Sequence, residues 1–209
     1  MRNRANAAVA RVAQAIVATA AVFAWDAAAQ SAAAPDIKVG DRWQFVVWYT
    51  VPSATPNRTW VVTGVTSKTI EGTENGEPLL LTRELNVLDS PASKNSNPRG
   101  LSFPLEVGKR WRYVNDWVFK PKGSKGGASV EAAVVAYEQV TVPAGEFDAF
   151  KLTSTERLSG TSPINSRIDA EVVRTYWYAP QARIIVKTVT RHPYLGPSTV
   201  ELVSMDLRR

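Results

Sequence analysis

The sequence predicts an all-β protein: an antiparallel curved sheet, barrel-like or a sandwich, built from two similar β halves. Three observations carry that expectation. Val39-Gly40-Asp41-Arg42-Trp43-Gln44-Phe45-Val46 and Val107-Gly108-Lys109-Arg110-Trp111-Arg112-Tyr113-Val114 agree at six of eight positions, counting Phe and Tyr as relatives, which points to one supersecondary design used twice. Apolar and polar residues alternate with period two over long stretches, the pattern of a strand with one buried face. No apolar spacing of helical period persists over several turns outside the first residues.

The elements follow in order. Arg2, Arg4 and Arg11 open the chain without an acid, Val12 to Phe23 is apolar or small, and Ala27-Ala28-Ala29 offers a small-x-small cleavage site. These features describe a secretory signal peptide over 1–29, too short for the ~20 apolar residues of a spanning helix. A short mature tail, 30–36, precedes a single β domain, 37–209, with halves at approximately 37–90 and 105–209. The first strand is expected over 41–51, with Trp43, Phe45, Val47 and Tyr49 on one face and Trp48 on the other. Strands at 59–67 and 79–87 follow, and the polar stretch 90–100, with Pro91 and Pro98, divides the halves. In the second half Trp111, Tyr113, Trp117 and Phe119 share a face, opposite Arg110, Arg112, Asp116 and Lys120. Pro121 to Gly127 reads as an exposed loop. Strands at 129–142 and 147–158 flank Val142-Pro143-Ala144-Gly145, where Pro143 presets the turn and Gly145 supplies a positive φ. Strands at 170–178, 183–191 and 198–207 complete the set, the first two joined by a reversal at Ala179-Pro180-Gln181-Ala182.

Composition limits the classes of function. With no cysteine the chain is neither a disulfide scaffold nor a lipoprotein, and about 180 mature residues suffice for a core without staples. Net charge falls from +6 to about +4 once the leader is removed, a mildly basic, mixed surface. Export places the protein in the periplasm or outside the cell, soluble and unanchored. A transmembrane barrel is disfavoured because strands carry charges such as Arg174, Lys187 and Arg191.

Residue types for chemistry are scarce. The single histidine, His192, lies in a turn-like Arg-His-Pro-Tyr-Leu-Gly-Pro stretch, and one histidine with no cysteine argues against zinc. No Asp-x-Asp-x-Asp-Gly calcium loop, phosphate loop or Gly-x-Ser-x-Gly elbow is present, so no metal, cofactor or catalytic residue is assigned. Glu146, Asp148, Glu156, Asp169 and Glu171 supply carboxylates in number, which keeps open a hydrolase using paired carboxylates or His192. Aromatic residues are the stronger lead. Trp43, Trp48, Trp111, Tyr113, Trp117 and Trp177 are candidate ligand-binding residues; core filling is their ordinary role, and a groove for an acyl chain, peptide or sugar is the alternative.

Gly108-x-x-Trp111-x-Tyr113, the run Val140-Thr141-Val142-Pro143-Ala144-Gly145-Glu146-Phe147-Asp148-Ala149-Phe150-Lys151-Leu152, Thr175-Tyr176-Trp177-Tyr178-Ala179-Pro180 and Val186-Lys187 together resemble a widespread group of exported bacterial β proteins. That group is known as a domain of unknown function. The resemblance covers most of 105–207 and implies an antiparallel, curved or barrel-like sheet in a periplasmic protein, with no activity to carry over. The resulting expectation is a non-catalytic binding or interaction module of the cell envelope, with a hydrophobic ligand such as a lipid, or another envelope component, as partner. Nucleic acid is not expected, nor a transmembrane segment after leader removal.

Overall fold

The computed structural model describes residues 30–49, 57–164 and 166–209. The leader expected over 1–29 lies outside the described residues, as does the end of the first strand at 50–51. Fourteen strands are present among the described residues: β1 (Ser31–Ala32), β2 (Arg42–Tyr49), β3 (Asn57–Val65), β4 (Thr69–Glu74), β5 (Glu77–Thr82), β6 (Val87–Asp89), β7 (Ser93–Asn95), β8 (Leu105–Glu106), β9 (Arg110–Phe119), β10 (Ser124–Val142), β11 (Gly145–Thr161), β12 (Arg167–Ala179), β13 (Ile184–His192) and β14 (Gly196–Asp206). Single 3-10 turns at Lys120–Lys122 and Pro180–Ala182 are the helical pieces among them.

Twelve strands close into an antiparallel barrel in the order β10-β11-β12-β13-β14-β2-β3-β4-β5-β6-β7-β9, while β1 and β8 pair outside it. Closure removes the unpaired sheet edges that invite association. Period-two alternation sets the inner face as expected: Trp43, Phe45 and Val47 of β2 are buried and face inward, and Arg110, Arg112 and Asp116 of β9 face solvent. Lys187 and Arg191 also point outward, whereas Arg174 points into the barrel.

The repeated segments make the same turn. Gly40 and Gly108 adopt φ of 92° and 95°, values that a side chain would strain. Gly40 N–H donates to Val62 O and Val62 N–H to Asp41 O, each at 2.9 Å. Gly108 N–H donates to Val134 O and Val134 N–H to Lys109 O, again at 2.9 Å. In both places the ladder then shifts by one residue, at Thr63 and at Val135, a bulge that bends the strand toward closure.

One end of the barrel holds the apolar core. Trp43, Phe150, Leu152, Tyr178, Val186 and Leu202 are fully buried there. The β10–β11 hairpin tip reaches across this end, Ala144 N–H donating to Leu202 O at 3.0 Å, so that Val140, Val142 and Phe147 join the core. Its turn lies where expected but is shorter, a two-residue Pro143-Ala144 connection, with β11 starting already at Gly145, φ 127°.

Several boundaries differ from expectation. The strand read over 79–87 is two, β5 and β6, because Leu85 takes a positive φ of 64° and Thr82 caps the turn by accepting from Glu84 and Asn86 N–H. The stretch read as a loop at 121–127 is a 3-10 turn followed by the first residues of β10, which pair with β9 and β11. The divider at 90–100 contributes β7 to the wall, held to β9 by Asn95 and by Asn97 donating to Val114 O. The 30–36 tail contributes β1, and its Ala32 is buried. Strand β4 was not expected, although Glu74-Asn75-Gly76-Glu77 between β4 and β5 is a strong hairpin signal; Asn75 and Gly76 take φ of 54° and 89°.

Candidate functional site

Past the apolar core, toward the other end of the barrel, polar groups turn inward. Along β11 the inward series runs Leu152, Ser154, Glu156, and opposite it on antiparallel β12 runs Tyr176, Arg174, Val172, so the polar groups lie between the core and a further buried apolar row that includes Val130 and Val172. Ser154 and Arg174 are ladder partners, and the Arg174 guanidinium forms an ion pair with the Glu156 carboxylate. Glu156 is buried, yet about 30% of the Arg174 side chain stays accessible, so solvent reaches the interior at this end. A buried carboxylate persists because its cation is beside it; either partner alone would be expensive.

Aromatic hydroxyls surround the pair. Burial first, then Arg174 in opposition and Glu156 in support, set the Tyr176 hydroxyl above the ordinary phenol range, with Ser154 beside it. Burial first, then Tyr176 and Glu156, raise Tyr113 likewise, against smaller opposing effects of Arg174 and of a hydrogen bond from the Arg99 backbone N–H to its oxygen. Both hydroxyls therefore stay protonated and able to donate. His192, last residue of β13, faces the same space. Burial and then Arg174 lower its pKa below 6.5, against a smaller opposing effect of Glu156.

Trp117 closes one side. Its indole N–H donates to Gly127 O at 3.1 Å, and a Cβ on Gly160 would come within 3.0 Å of its ring. Gly126 and Gly160 are ladder partners, and a Cβ on Gly126 would lie 2.0 Å from Ser159 O. The two glycines thus let β10 and β11 approach closely and leave the ring its place. A Gly126→Ala variant is expected to lose about 2 kcal/mol in urea denaturation, the cost of forcing extra volume into a tight site. An unchanged midpoint would show that the sheet adjusts freely there.

The six aromatic candidates divide. Trp111, Tyr113 and Trp117 share the inner face of β9. Trp43 is 2% exposed in the core and donates to Ala182 O at 2.8 Å. Trp48, 58% exposed, lies on the outside, as its strand position predicts. Trp177 is also outside: its indole N–H donates to Glu138 at 2.8 Å, with Lys151 and Lys187 at 5.4 and 5.9 Å from its ring. That hydrogen bond, then Lys151, holds the Glu138 carboxyl below the usual carboxylate range.

Of the acids named from sequence, Glu156 alone enters the cluster; Glu146, Asp148, Asp169 and Glu171 are exposed. His192 Nδ1 is already engaged, accepting from Tyr194 and Leu195 N–H at 3.1 and 3.3 Å. The sequence analysis assigns no site role to Arg174, Tyr176 or Ser154. Their signal was present: opposite charges, Glu156 and Arg174, interrupt the apolar face of two successive strands.

Among the described residues no helix is long and apolar enough to cross a membrane. No family model matches the chain, and no curated protein matches it. The Val142-Pro143-Ala144-Gly145 run forms the β10–β11 turn, and Tyr176-Trp177-Tyr178-Ala179 ends β12. The backbone is similar to that of a Bacteroides fragilis protein assigned as exported and as having a YmcC-like fold, with a TM-score of 0.53 and 15% identity over 85% of this chain and 100% of that one. It is also similar to a Parabacteroides distasonis protein assigned as a lipoprotein, with a TM-score of 0.52 and 13% identity over 85% of this chain and 100% of that one. At such identities the likeness is one of architecture, and the barrel of this chain is a YmcC-like fold.

Proposed function

We propose that the protein is an exported, unanchored envelope module that binds an amphipathic ligand, such as a single-chain lipid, at the open end of its barrel without catalysing a reaction. The carrying observation is the inward-facing Arg174–Glu156 pair, solvent-reachable and bordered by the aromatic face of β9. A paired cation and anion suit a zwitterionic or neutral hydrogen-bonding head, and Tyr113 and Trp117 offer apolar surface beside it. The filled opposite end supports a ligand that enters partway. The leader supports export, and the absence of cysteine supports an unanchored mature protein. The engaged Nδ1 of His192 and the ion-paired Glu156 support binding over hydrolysis. The matching glycine turns and bulges support reading the halves as copies of one β unit.

The test uses a lysophosphatidylcholine monomer with the mature chain, followed by native mass spectrometry and calorimetric titration. One bound lipid is expected, and Arg174→Ala and Trp117→Ala each weaken binding about tenfold, or ~1.4 kcal/mol, while circular dichroism stays that of the barrel. No bound lipid, or wild-type affinity in both variants, overturns the assignment.

A further inference from the structure

The turn that joins β13 to β14 hangs on the neutral form of one side chain. His192 pairs with Gly196, and its Nδ1 accepts the N–H groups of Tyr194 and Leu195 at 3.1 and 3.3 Å. A ring nitrogen that accepts cannot carry a proton, so the proton resides on Nε2 and the ring is uncharged. Tyr194 adds two links: its ring lies 5.9 Å from the imidazole, and its hydroxyl donates to Asp169 O at 2.5 Å. The turn is thereby fastened to the first residues of β12, at the same end of the barrel as Arg174.

The charged neighbours do not favour a cationic imidazole. From β12 Arg174 faces it, and from β11 Glu156, whose charge is already matched by Arg174. Glu171 and Arg191 line a shallow hollow of about 430 Å³ beside His192, Pro193 and Pro197. Glu171 pairs with Arg157 at 3.6 Å, and the Asp169 carboxylate pairs with Arg167 at 3.0 Å.

We propose that His192 is a proton-operated latch: neutral, it holds the 192–196 turn on β12 at the open end of the barrel, and protonated, it lets the turn go. Protonation makes Nδ1 a donor that confronts two backbone donors, and it places a second cation near Arg174. The inference rests on the turn's hydrogen bonds and stands whether or not a lipid binds.

The lowered folded pKa fixes the sign of the stability effect. The unfolded chain binds the proton more readily, so this contribution is complete above pH 6.5 and is lost as pH falls through the lower folded value. The full mature chain is titrated by NMR from pH 8 to pH 5, with the His192 Cε1–H shift reporting its charge. Protection factors of the Tyr194 and Leu195 amides are expected to fall at least tenfold in step with that shift. In His192→Asn the side-chain oxygen replaces Nδ1 as acceptor without titrating, and both amides stay protected throughout. In His192→Ala both are unprotected at either pH. Amides that stay protected while the imidazole is charged, or an Asn variant that follows the wild-type course, overturn the latch.

Discussion

Trp43→Ala is expected to remove about 3–5 kcal/mol of stability, the range for deleting a large buried aromatic side chain. Trp43 is 2% exposed, and its indole N–H reaches Ala182 O, a carbonyl of the 3-10 turn between β12 and β13. Truncation leaves that buried carbonyl without its donor and opens a cavity beside Phe45, which packs edge-on against Trp60 at 5.8 Å. At roughly 2–4 °C per kcal/mol for a chain of this size, the melting temperature falls by about 6–20 °C. Trp111 occupies the matching place in its own strand but sits half-buried at the rim of the core. It donates to Arg99 O at 2.7 Å, with Lys109 Nζ 5.8 Å from its ring. Trp111→Ala is therefore expected to cost about half as much, since less apolar area leaves water. Calorimetric melts of both variants decide the matter. Equal losses would mean that the matching strand positions share an environment, contrary to their burial.

How far this arrangement could be read beforehand depends on which forces act locally. Strands β2, β9, β11 and β12 were legible because one face is buried against a core and the alternation is written in single residues such as Trp43, Phe45 and Val47. The Pro143-Ala144 turn was legible through the stereochemistry of proline and glycine. β4 was harder: Thr-Ile-Glu-Gly-Thr-Glu has one apolar residue, Ile70, and it is a strand because its neighbours on both sides need a partner. β7 is more extreme, a three-residue polar strand held by asparagine side chains reaching β9 from 20 residues away. Lys-Gly-Gly at 125–127 has loop composition, yet Gly126 serves the close approach of β10 to β11 beneath Trp117. At the candidate site Tyr113 and Trp117 were singled out as aromatics and Glu156 and His192 as titratable groups. What the one-dimensional pattern lacked was their meeting: Arg174 and Glu156 become partners through the pairing of β11 with β12 and the closure that brings β9 and β13 around them.

The Asp41 carboxylate is the second place where one substitution has a large expected effect. It is fully buried, with 0% of its surface accessible, at the turn where Trp111's strand has Lys109 instead. Its Oδ2 accepts Lys38 N–H at 2.9 Å and faces Arg183 at 3.4 Å, and its Oδ1 accepts Arg208 N–H at 2.7 Å. One carboxylate thus ties the entry to β2, the turn before β13 and the chain after β14. Arg183 holds a left-handed backbone, φ 57°, where glycine would be easier by roughly 1 kcal/mol. Its guanidinium also donates to Arg208 O at 3.2 Å, a bond that glycine could not make. Asp41→Ala strands two backbone donors and a partly buried cation together, so a loss of about 3–5 kcal/mol is expected. Asp41→Asn should fall between, since one oxygen still accepts while its amide confronts a donor. Lys109, by contrast, hydrogen-bonds Ser102 O and Pro104 O from a more exposed position, and Lys109→Met should cost about 1 kcal/mol or less. Urea denaturation of the three variants, with amide exchange at Arg208 as a local readout, separates the outcomes. Should Asp41→Ala cost no more than Lys109→Met while Arg208 stays protected, the three segments must be held by packing, and the buried charge would be incidental to the closure of the barrel.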